Sequence, residues 1–323
     1  MQDHIRQYAS RAARKAIPHR KFTSIVFAAS ALIFGAWAQQ SDTSKAPSPA
    51  WNDNSLITVQ KHGGDPTRSG DVQIEFYGHD AFKITSPTGL TVLTDPWRND
   101  PTGLYPKWFL NEFAAIRVDI VLSTHAHFDH DAVDRPSGLV VLERLVGHFR
   151  LGDIEVVGLA DKHKCESAPD HDSDGTSTDS RVEACPPNNP IDLDNAIQII
   201  ETGGLRIAIW GDNRAVPGPS LDHYLRNVDV LILPIETVLT RDEVDAILRK
   251  YDPKAIIPAH YFLNGLTTAV SGLESADGWV HDQEKVHPAN VRRLDSAELK
   301  LSPVRLEGSH HRLYYFGDHF DRK

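Results

Sequence analysis

The sequence has few cysteines and fewer cationic than acidic side chains. Two of its 323 residues are cysteine, which excludes a disulfide-dense scaffold and a zinc site made of four thiolates. Lysine and arginine number 34 against 44 aspartates and glutamates, so the net charge is −10. Binding to nucleic acid or to an anionic membrane needs Lys and Arg side chains that displace counterions. We therefore expect a small-molecule substrate and no nucleic-acid partner.

The apolar run near the N-terminus is too short for an ordinary membrane-spanning helix. Residues 24–35 (SIVFAASALIFG) follow a basic stretch, and an A-x-A site at residues 36–38 comes directly after them. This order of segments predicts a secretory signal peptide over residues 1–38, with an uncleaved anchor as the alternative. We expect an exported mature chain that starts near Gln39, without a stable membrane anchor, in the periplasm or secreted.

Composition divides the remaining chain into a linker and one domain. Residues 39–70 are rich in Ser, Pro, Asp, Asn and Gly and read as a linker or irregular entry, so the domain spans residues 71–323. Within it, a polar stretch separates Cys165 from Cys185. In an oxidising compartment these cysteines are expected to form a disulfide that closes an insert at 165–185, worth about 3 kcal/mol. Two free thiols, or Cys165 as a metal ligand, are the alternatives.

Short apolar runs alternate with turn signals from residue 72 onward. Residues 72–85 and 90–94 have the pattern of strands around a turn, and residues 228–235 resemble a strand that is covered on both faces. The clearest helix covers residues 240–250 and opens with a threonine–glutamate capping box. Early hairpins followed by strand–helix–strand units predict an α/β protein whose sheets are covered by helices.

The strongest chemical signal follows an apolar strand that ends at Ser123. His125, His127, Asp129 and His130 come within the next seven residues. Two histidines at positions i and i+2 of an extended chain point the same way, so both imidazoles can reach one ion. Asp129 and His130 can offer ligands to a second ion, and this donor set suits Zn²⁺, Mn²⁺ or Fe²⁺.

Three later strand ends supply further candidate ligands. Apolar runs lead into His163, Asp212 and His260. Each residue alone is a weak signal, but ligands are expected to follow several strands when a site lies along one edge of a sheet.

Residues 124–130 (THAHFDH) match the T-H-x-H-x-D-H signature of the metallo-β-lactamase-fold hydrolases. The sequence also resembles that superfamily, and especially its ascorbate-6-phosphate-lactonase-like branch, at four other short motifs: Gly78-His79, Thr94-Asp95-Pro96, Gly211-Asp212 and Pro258-Ala259-His260-Tyr261. The resemblance covers about residues 72–262. It implies an αββα sandwich with a dinuclear metal site at its edge.

The resemblance also implies a role for each candidate residue. The first metal would be held by His125, His127 and His163, with His171 as the competitor of His163, and the second by Asp129, His130 and His260. Asp212 would bridge the two ions, and Asp95 would orient ligands from outside the coordination sphere. His79 is either a substrate-contacting or ligand-orienting group or a packing residue at the end of a strand.

The chemistry expected from two divalent ions, with zinc favoured, is hydrolysis of a small ester, lactone or phosphoester. Asp129 or Asp212 would pass a proton to the leaving group. A β-lactamase is the alternative enzyme, which the bridging aspartate disfavours, and a non-catalytic metal-binding module is the alternative of another class. The substrate pocket is expected in the loops after the strands, where Trp97, Tyr105, Trp108 and Trp279 either line it or pack.

Overall fold

The computed structural model describes residues 64–164 and 194–322, which form two β-sheets. The predicted signal peptide, most of the predicted linker, and the residues Cys165, His171 and Cys185 lie outside the described residues. The signal peptide, the disulfide and the domain limits therefore remain predictions.

The first sheet has six strands and mixes antiparallel with parallel pairing. In chain order they are β1 (Val72–Phe76), β2 (Phe82–Thr85), β3 (Thr91–Thr94), β4 (Arg117–Ser123), β5 (Ser137–Glu143) and β13 (Glu298–Leu301). Across the sheet the order is β13-β1-β2-β3-β4-β5. The first three strands pair antiparallel, whereas β3, β4 and β5 run parallel. The ends of β3 and β4 therefore lie at the same edge of the sheet.

The second sheet has eight strands, two of which are buried along their whole length. In chain order they are β6 (Gly147–Leu151), β7 (Ile154–Asp161), β8 (Asn195–Thr202), β9 (Leu205–Ile209), β10 (Val230–Pro234), β11 (Ala255–Ala259), β12 (Val291–Arg293) and β14 (Arg312–Tyr315). Across the sheet the order is β12-β14-β11-β10-β9-β8-β7-β6. Every residue of β10 and β11 is buried, as expected for parallel strands covered on both faces.

The helices of the described residues all follow β9. They are α1 (Asp222–Leu225), α2 (Arg241–Tyr251) and α3 (Asp277–Val286), with short 3₁₀ turns at Pro219–Leu221 and Ala269–Ser271. Helix α2 opens with the predicted capping box, in which the Glu243 carboxylate accepts from the backbone N–H of Thr240 at 2.9 Å. None of these helices is long and apolar enough to cross a membrane.

Aromatic side chains join the two sheets into one core. The ring of Phe76 on β1 lies 4.8 Å from that of Phe82 on β2 and 5.2 Å from that of Phe316, which follows β14. The predicted mixed α/β fold is confirmed, with one difference in its outer layers. The parallel connections β3–β4 and β4–β5 are loops. In the first of them, residues 96–106 contain three prolines and a glycine, which do not continue a helix.

Asp153 ties the two sheets together at the end opposite to the carboxyl ends of β3, β4 and β7. Its buried carboxylate accepts hydrogen bonds from the Ser86 hydroxyl at 2.8 Å and from the Thr88 hydroxyl at 2.6 Å. Ser86 and Thr88 belong to the turn between β2 and β3, whereas Asp153 immediately precedes β7. The contact therefore connects a turn of the first sheet to a turn of the second.

We expect Asp153→Ala to lower the free energy of unfolding by about 2 kcal/mol, because it leaves the buried Ser86 hydroxyl without its charged acceptor. Urea unfolding followed by tryptophan fluorescence measures this change. The control is Asp71→Ala, which removes an exposed carboxylate 3.5 Å from Arg305 and should cost less than about 0.5 kcal/mol. Equal stability of the two variants would contradict the assignment.

Candidate metal centre

Four strand ends bring all seven predicted ligands together. His125, His127, Asp129 and His130 follow β4, His163 lies two residues beyond β7, Asp212 three residues beyond β9, and His260 directly after β11. These residues, with His79, form two clusters in which all candidate ligand atoms lie within 4.8 Å of one another. The expectation of a site along the sheet edges thus agrees with the geometry.

The first cluster consists of His125, His127, His163 and Asp212. The three imidazole rings surround a small space, with centroid distances of 4.6 Å (His125–His127), 4.6 Å (His127–His163) and 4.9 Å (His125–His163). His125 is buried and His127 is exposed, so this cluster reaches the surface. A substrate can approach the site from the side of His127.

The second cluster consists of His79, Asp129, His130 and His260, all of them buried. Asp129 is at its centre, with its Oδ2 atom 3.0 Å from Nε2 of His79, 3.6 Å from Nε2 of His130 and 3.5 Å from Nε2 of His260. His79 is therefore part of this group and not merely a packing residue at a strand end.

Asp212 lies between the two clusters. Its Oδ2 atom is 3.4 Å from Nε2 of His163 and 3.9 Å from Nε2 of His125 in the first cluster. Its Oδ1 atom is 3.5 Å from Nε2 of His130 in the second cluster. One carboxylate thus faces ligand atoms of both groups, which is the arrangement that a bridging ligand needs.

The donor set of both clusters fits metal ions. In three histidines Nδ1 makes a hydrogen bond to an oxygen atom: His125 to Thr124 Oγ1 at 3.0 Å, His130 to Asp95 Oδ2 at 2.9 Å, and His163 to the Lys164 carbonyl at 2.7 Å. Such hydrogen bonds fix the tautomer and turn Nε2 toward the ion. Within the described residues, Nε2 of His125, His130 and His260 and Oδ1 of Asp212 are buried without a hydrogen bond. Orphaned polar atoms are costly, and coordination to a cation would satisfy them.

Burial and the neighbouring charged groups shift the pKa values of the carboxyls and imidazoles in the two clusters. Burial raises the pKa of Asp212, but the neighbouring His260 and His130 outweigh it and hold this pKa well below the usual range. Burial lowers the pKa of His130 to about 3, so its imidazole is neutral and able to coordinate. Burial also lowers the pKa of His260, but the carboxylates of Asp212 and Asp129 more than compensate and raise it to about 9. The negative charge of the two carboxylates therefore favours a proton on His260. A bound cation would offset the same charge.

Asp95 lies behind His130, where the resemblance places a ligand-orienting carboxylate. Besides accepting from Nδ1 of His130, it accepts from the backbone N–H and the hydroxyl of Thr124, both at 2.7 Å. Since the Thr124 hydroxyl also accepts from His125, Asp95 orients one imidazole of each cluster.

Asp80 belongs to the same region and was missed in the sequence analysis. It is buried, neither of its carboxylate oxygens has a hydrogen bond within the described residues, and its Oδ2 atom is 3.8 Å from Nδ1 of His130. Burial raises its pKa to about 7. The only signal in the sequence is its position directly after His79, and a single aspartate at a strand end is too common to single out.

The three tryptophans and one tyrosine named as pocket candidates divide into two pairs. Trp97 and Trp279 are buried in the core and pack. Tyr105 and Trp108 are at least partly exposed and contact Phe128, at centroid distances of 5.6 Å and 5.0 Å. Only the second pair can meet a substrate.

Comparison with known proteins agrees with this geometry. A family model described as "Beta-lactamase superfamily domain" matches residues 73–260, more than half of the chain. The chain belongs to this superfamily. Two relatives are named UPF0173 metal-dependent hydrolase. The one from Polaromonas sp. is 28% identical over 231 residues, 61% of this chain and 80% of the relative. The one from Myxococcus xanthus is 27% identical over 268 residues, 76% and 89% of the two chains.

A solved structure from Thermotoga maritima, described as a Zn-dependent hydrolase of the metallo-β-lactamase superfamily, has the same fold. It is 20% identical, covers 76% of this chain and 97% of its own, and superposes with a TM-score of 0.51. The predictions of the metallo-β-lactamase fold and of a metal-dependent hydrolase are confirmed. The identity and number of the ions, the lactonase-like branch and export stay predictions.

We expect Asp95→Asn to weaken the binding of the metal near His130 by about ten- to hundredfold, since both oxygens of Asp95 accept hydrogen bonds and the amide nitrogen that replaces one of them cannot accept. Competition with a chromophoric chelator measures the dissociation constants.

The matched control is Asp119→Asn. Asp119 is also buried and accepts from the backbone N–H and hydroxyl of a threonine, Thr91, both at 2.8 Å, but at the opposite end of β3 and β4. This variant should keep the metal affinity of the wild type. Equal losses in both variants would mean that Asp95 has only a structural role.

Proposed function

We propose that the protein is an exported hydrolase that uses two divalent metal ions, with zinc favoured over manganese and iron, to cleave a small ester, lactone or phosphoester. The single observation that carries the dinuclear proposal is the position of Asp212, whose two carboxylate oxygens face both clusters. Export rests on the N-terminal sequence pattern alone.

The residues divide the work as their positions suggest. His125, His127 and His163 would hold one ion, Asp129, His130 and His260 the other, and Asp212 would contact both. Bound divalent ions supply a hydroxide nucleophile at neutral pH and polarise the substrate oxygen. Asp129 and Asp212 stay ionised, since the surrounding imidazoles hold the pKa of both carboxyls well below the usual range against the opposing effect of burial. One of these two ionised carboxylates would take up a proton and deliver it to the leaving group.

The apolar part of the substrate would lie against the aromatic side chains Tyr105, Trp108 and Phe128. In the sequence Phe128 lies between His127 of the first cluster and Asp129 of the second, so this aromatic patch adjoins both clusters along the chain. Its rings contact one another at centroid distances of 5.0 to 6.5 Å. An ester or lactone with an apolar substituent matches such a surface better than a highly charged phosphate does.

We expect the wild type to bind about two metal ions per chain and Asp212→Asn to bind one, with kcat at least about a hundredfold lower. The amide keeps the size of the side chain but removes the charge that offsets the repulsion between the ions. Elemental analysis after zinc loading and desalting measures the stoichiometry. A panel of lactones, phosphodiesters, chromogenic esters and β-lactams measures activity.

The control for Asp212→Asn is again Asp119→Asn, which removes a buried carboxylate away from the clusters. Two metals and an unchanged rate in Asp212→Asn would overturn the dinuclear proposal. Full metal content without turnover of any substrate class would favour the non-catalytic module, and preferential opening of β-lactams would favour the β-lactamase.

We expect Trp108→Ala to raise KM for 4-nitrophenyl octanoate by at least about tenfold while changing KM for 4-nitrophenyl acetate much less, because only the long chain loses apolar contact. The control Val286→Ala removes an exposed apolar side chain at the end of α3 and should change neither value. The same KM change for both esters would contradict the aromatic patch as the site of the apolar group.

A further inference from the structure

We propose that the ion pair between Lys164 and Glu243 positions His163 and Asp212 for metal binding, which makes Lys164 a positioning residue of the metal centre. The inference rests on the proposed function, since it takes His163 and Asp212 as ligands. It assigns a role to a residue that touches no candidate ion site with its own side chain.

The main chain of Lys164 contacts both residues directly. Its backbone N–H donates to the carbonyl oxygen of Asp212 at 2.6 Å, and its own carbonyl accepts from Nδ1 of His163 at 2.7 Å. The second bond fixes the His163 tautomer with Nε2 toward Asp212. A shift of the Lys164 backbone would therefore move one ligand of the first cluster and the proposed bridge together.

The side chain of Lys164 anchors that backbone to a helix. Its Nζ atom lies 2.5 Å from both oxygens of Glu243, and the two side chains are only 22% and 30% exposed. Glu243 is itself fixed, because it accepts from the backbone N–H and the hydroxyl of Thr240 in the capping box of α2. The negative charge also sits in the first turn of α2, where the helix dipole stabilises it.

The segment that the ion pair anchors is a narrow ribbon. Residues 162–164 pair with residues 212–214 through two backbone hydrogen bonds, from Arg214 to Lys162 at 3.0 Å and from Lys164 to Asp212. The ribbon also has a side-chain attachment, since the backbone N–H of His163 donates to Asp194 at 2.7 Å. Lys164 is its last residue before positions 165–193, which lie outside the described residues. The bond to Glu243 thus fixes the ribbon at the end where it leaves the sheet.

An ion pair near the protein surface contributes little to stability, often less than about 1 kcal/mol. An ion pair can still position other groups. When a group that orients metal ligands is removed, metal affinity falls by about ten- to hundredfold. Metal affinity therefore separates a positioning role from a merely structural one.

The test uses the full chain, stripped of metal and titrated with Zn²⁺ against a chromophoric chelator. Lys164→Met is expected to weaken one of the two zinc equivalents by about tenfold, namely the equivalent that His163→Ala abolishes, and to weaken the other, which depends on Lys164 only through Asp212, much less. Lys164→Arg should restore most of the affinity, because the guanidinium can also pair with the Glu243 carboxylate. The thermal midpoint of the metal-free protein should change little.

Two further variants make the comparison specific. Glu243→Gln keeps a capping box but removes the charge, so combining it with Lys164→Met should add little further loss. The matched control is Lys250→Met on the same helix. Lys250 pairs with Asp222 at 2.7 Å, is 36% exposed, and lies in neither cluster. It should leave both zinc affinities unchanged.

The outcomes separate this inference from the proposed function. Two zinc equivalents with unchanged affinities in Lys164→Met would overturn the positioning role and leave the dinuclear proposal standing. Equal losses in Lys164→Met and Lys250→Met would also overturn it, since the effect would then be a general loss of stability. A wild type that binds fewer than two zinc ions would overturn both proposals.

Discussion

Two buried carboxylates that lie among histidine side chains are the constraint on which the site depends. Withdrawing Asp129 and Asp212 from water costs several kcal/mol each unless positive charge and hydrogen bonds replace the solvent. The replacements come from segments that are distant in sequence, so the fold must hold those segments in register. Backbone hydrogen bonds link segments around the site, from Ala196 on β8 to Thr124 after β4 at 2.9 Å and from His260 after β11 to His79 after β1 at 2.9 Å.

The backbone at the site is strained, and the two-sheet core supports that strain. His79, Asp95 and His260 have φ values of 59°, 38° and 57°. These values lie in the left-handed region, which residues other than glycine seldom adopt. Each such residue costs on the order of 1–3 kcal/mol and persists only where its surroundings determine it. All three residues are buried, so the surrounding side chains hold their backbone in place.

Features that depend on local sequence could be predicted, whereas those that depend on tertiary placement could not. The T-H-x-H-x-D-H motif and the candidate ligands after β7, β9 and β11 could be predicted because they follow apolar strands. The capping box of α2 could be predicted because it spans only four residues. Asp80 gave no such signal, because its isolation from hydrogen-bond partners appears only when the surrounding chain is folded. The same holds for Lys164 and Glu243, which are 79 positions apart. Composition likewise could not distinguish buried Trp97 from exposed Tyr105.

The charge balance of the site connects metal binding with folding. Asp80, Asp95, Asp129 and Asp212 bring four buried carboxylates close to His130, and burial raises the pKa of Asp80 and Asp95. Without a cation, protons must offset part of this charge, as the raised pKa of His260 indicates. Any ion that binds the folded chain and not the unfolded chain stabilises the fold by mass action. The acidic groups that are costly to bury are therefore the same groups that would bind a cation, and cation binding would stabilise the fold.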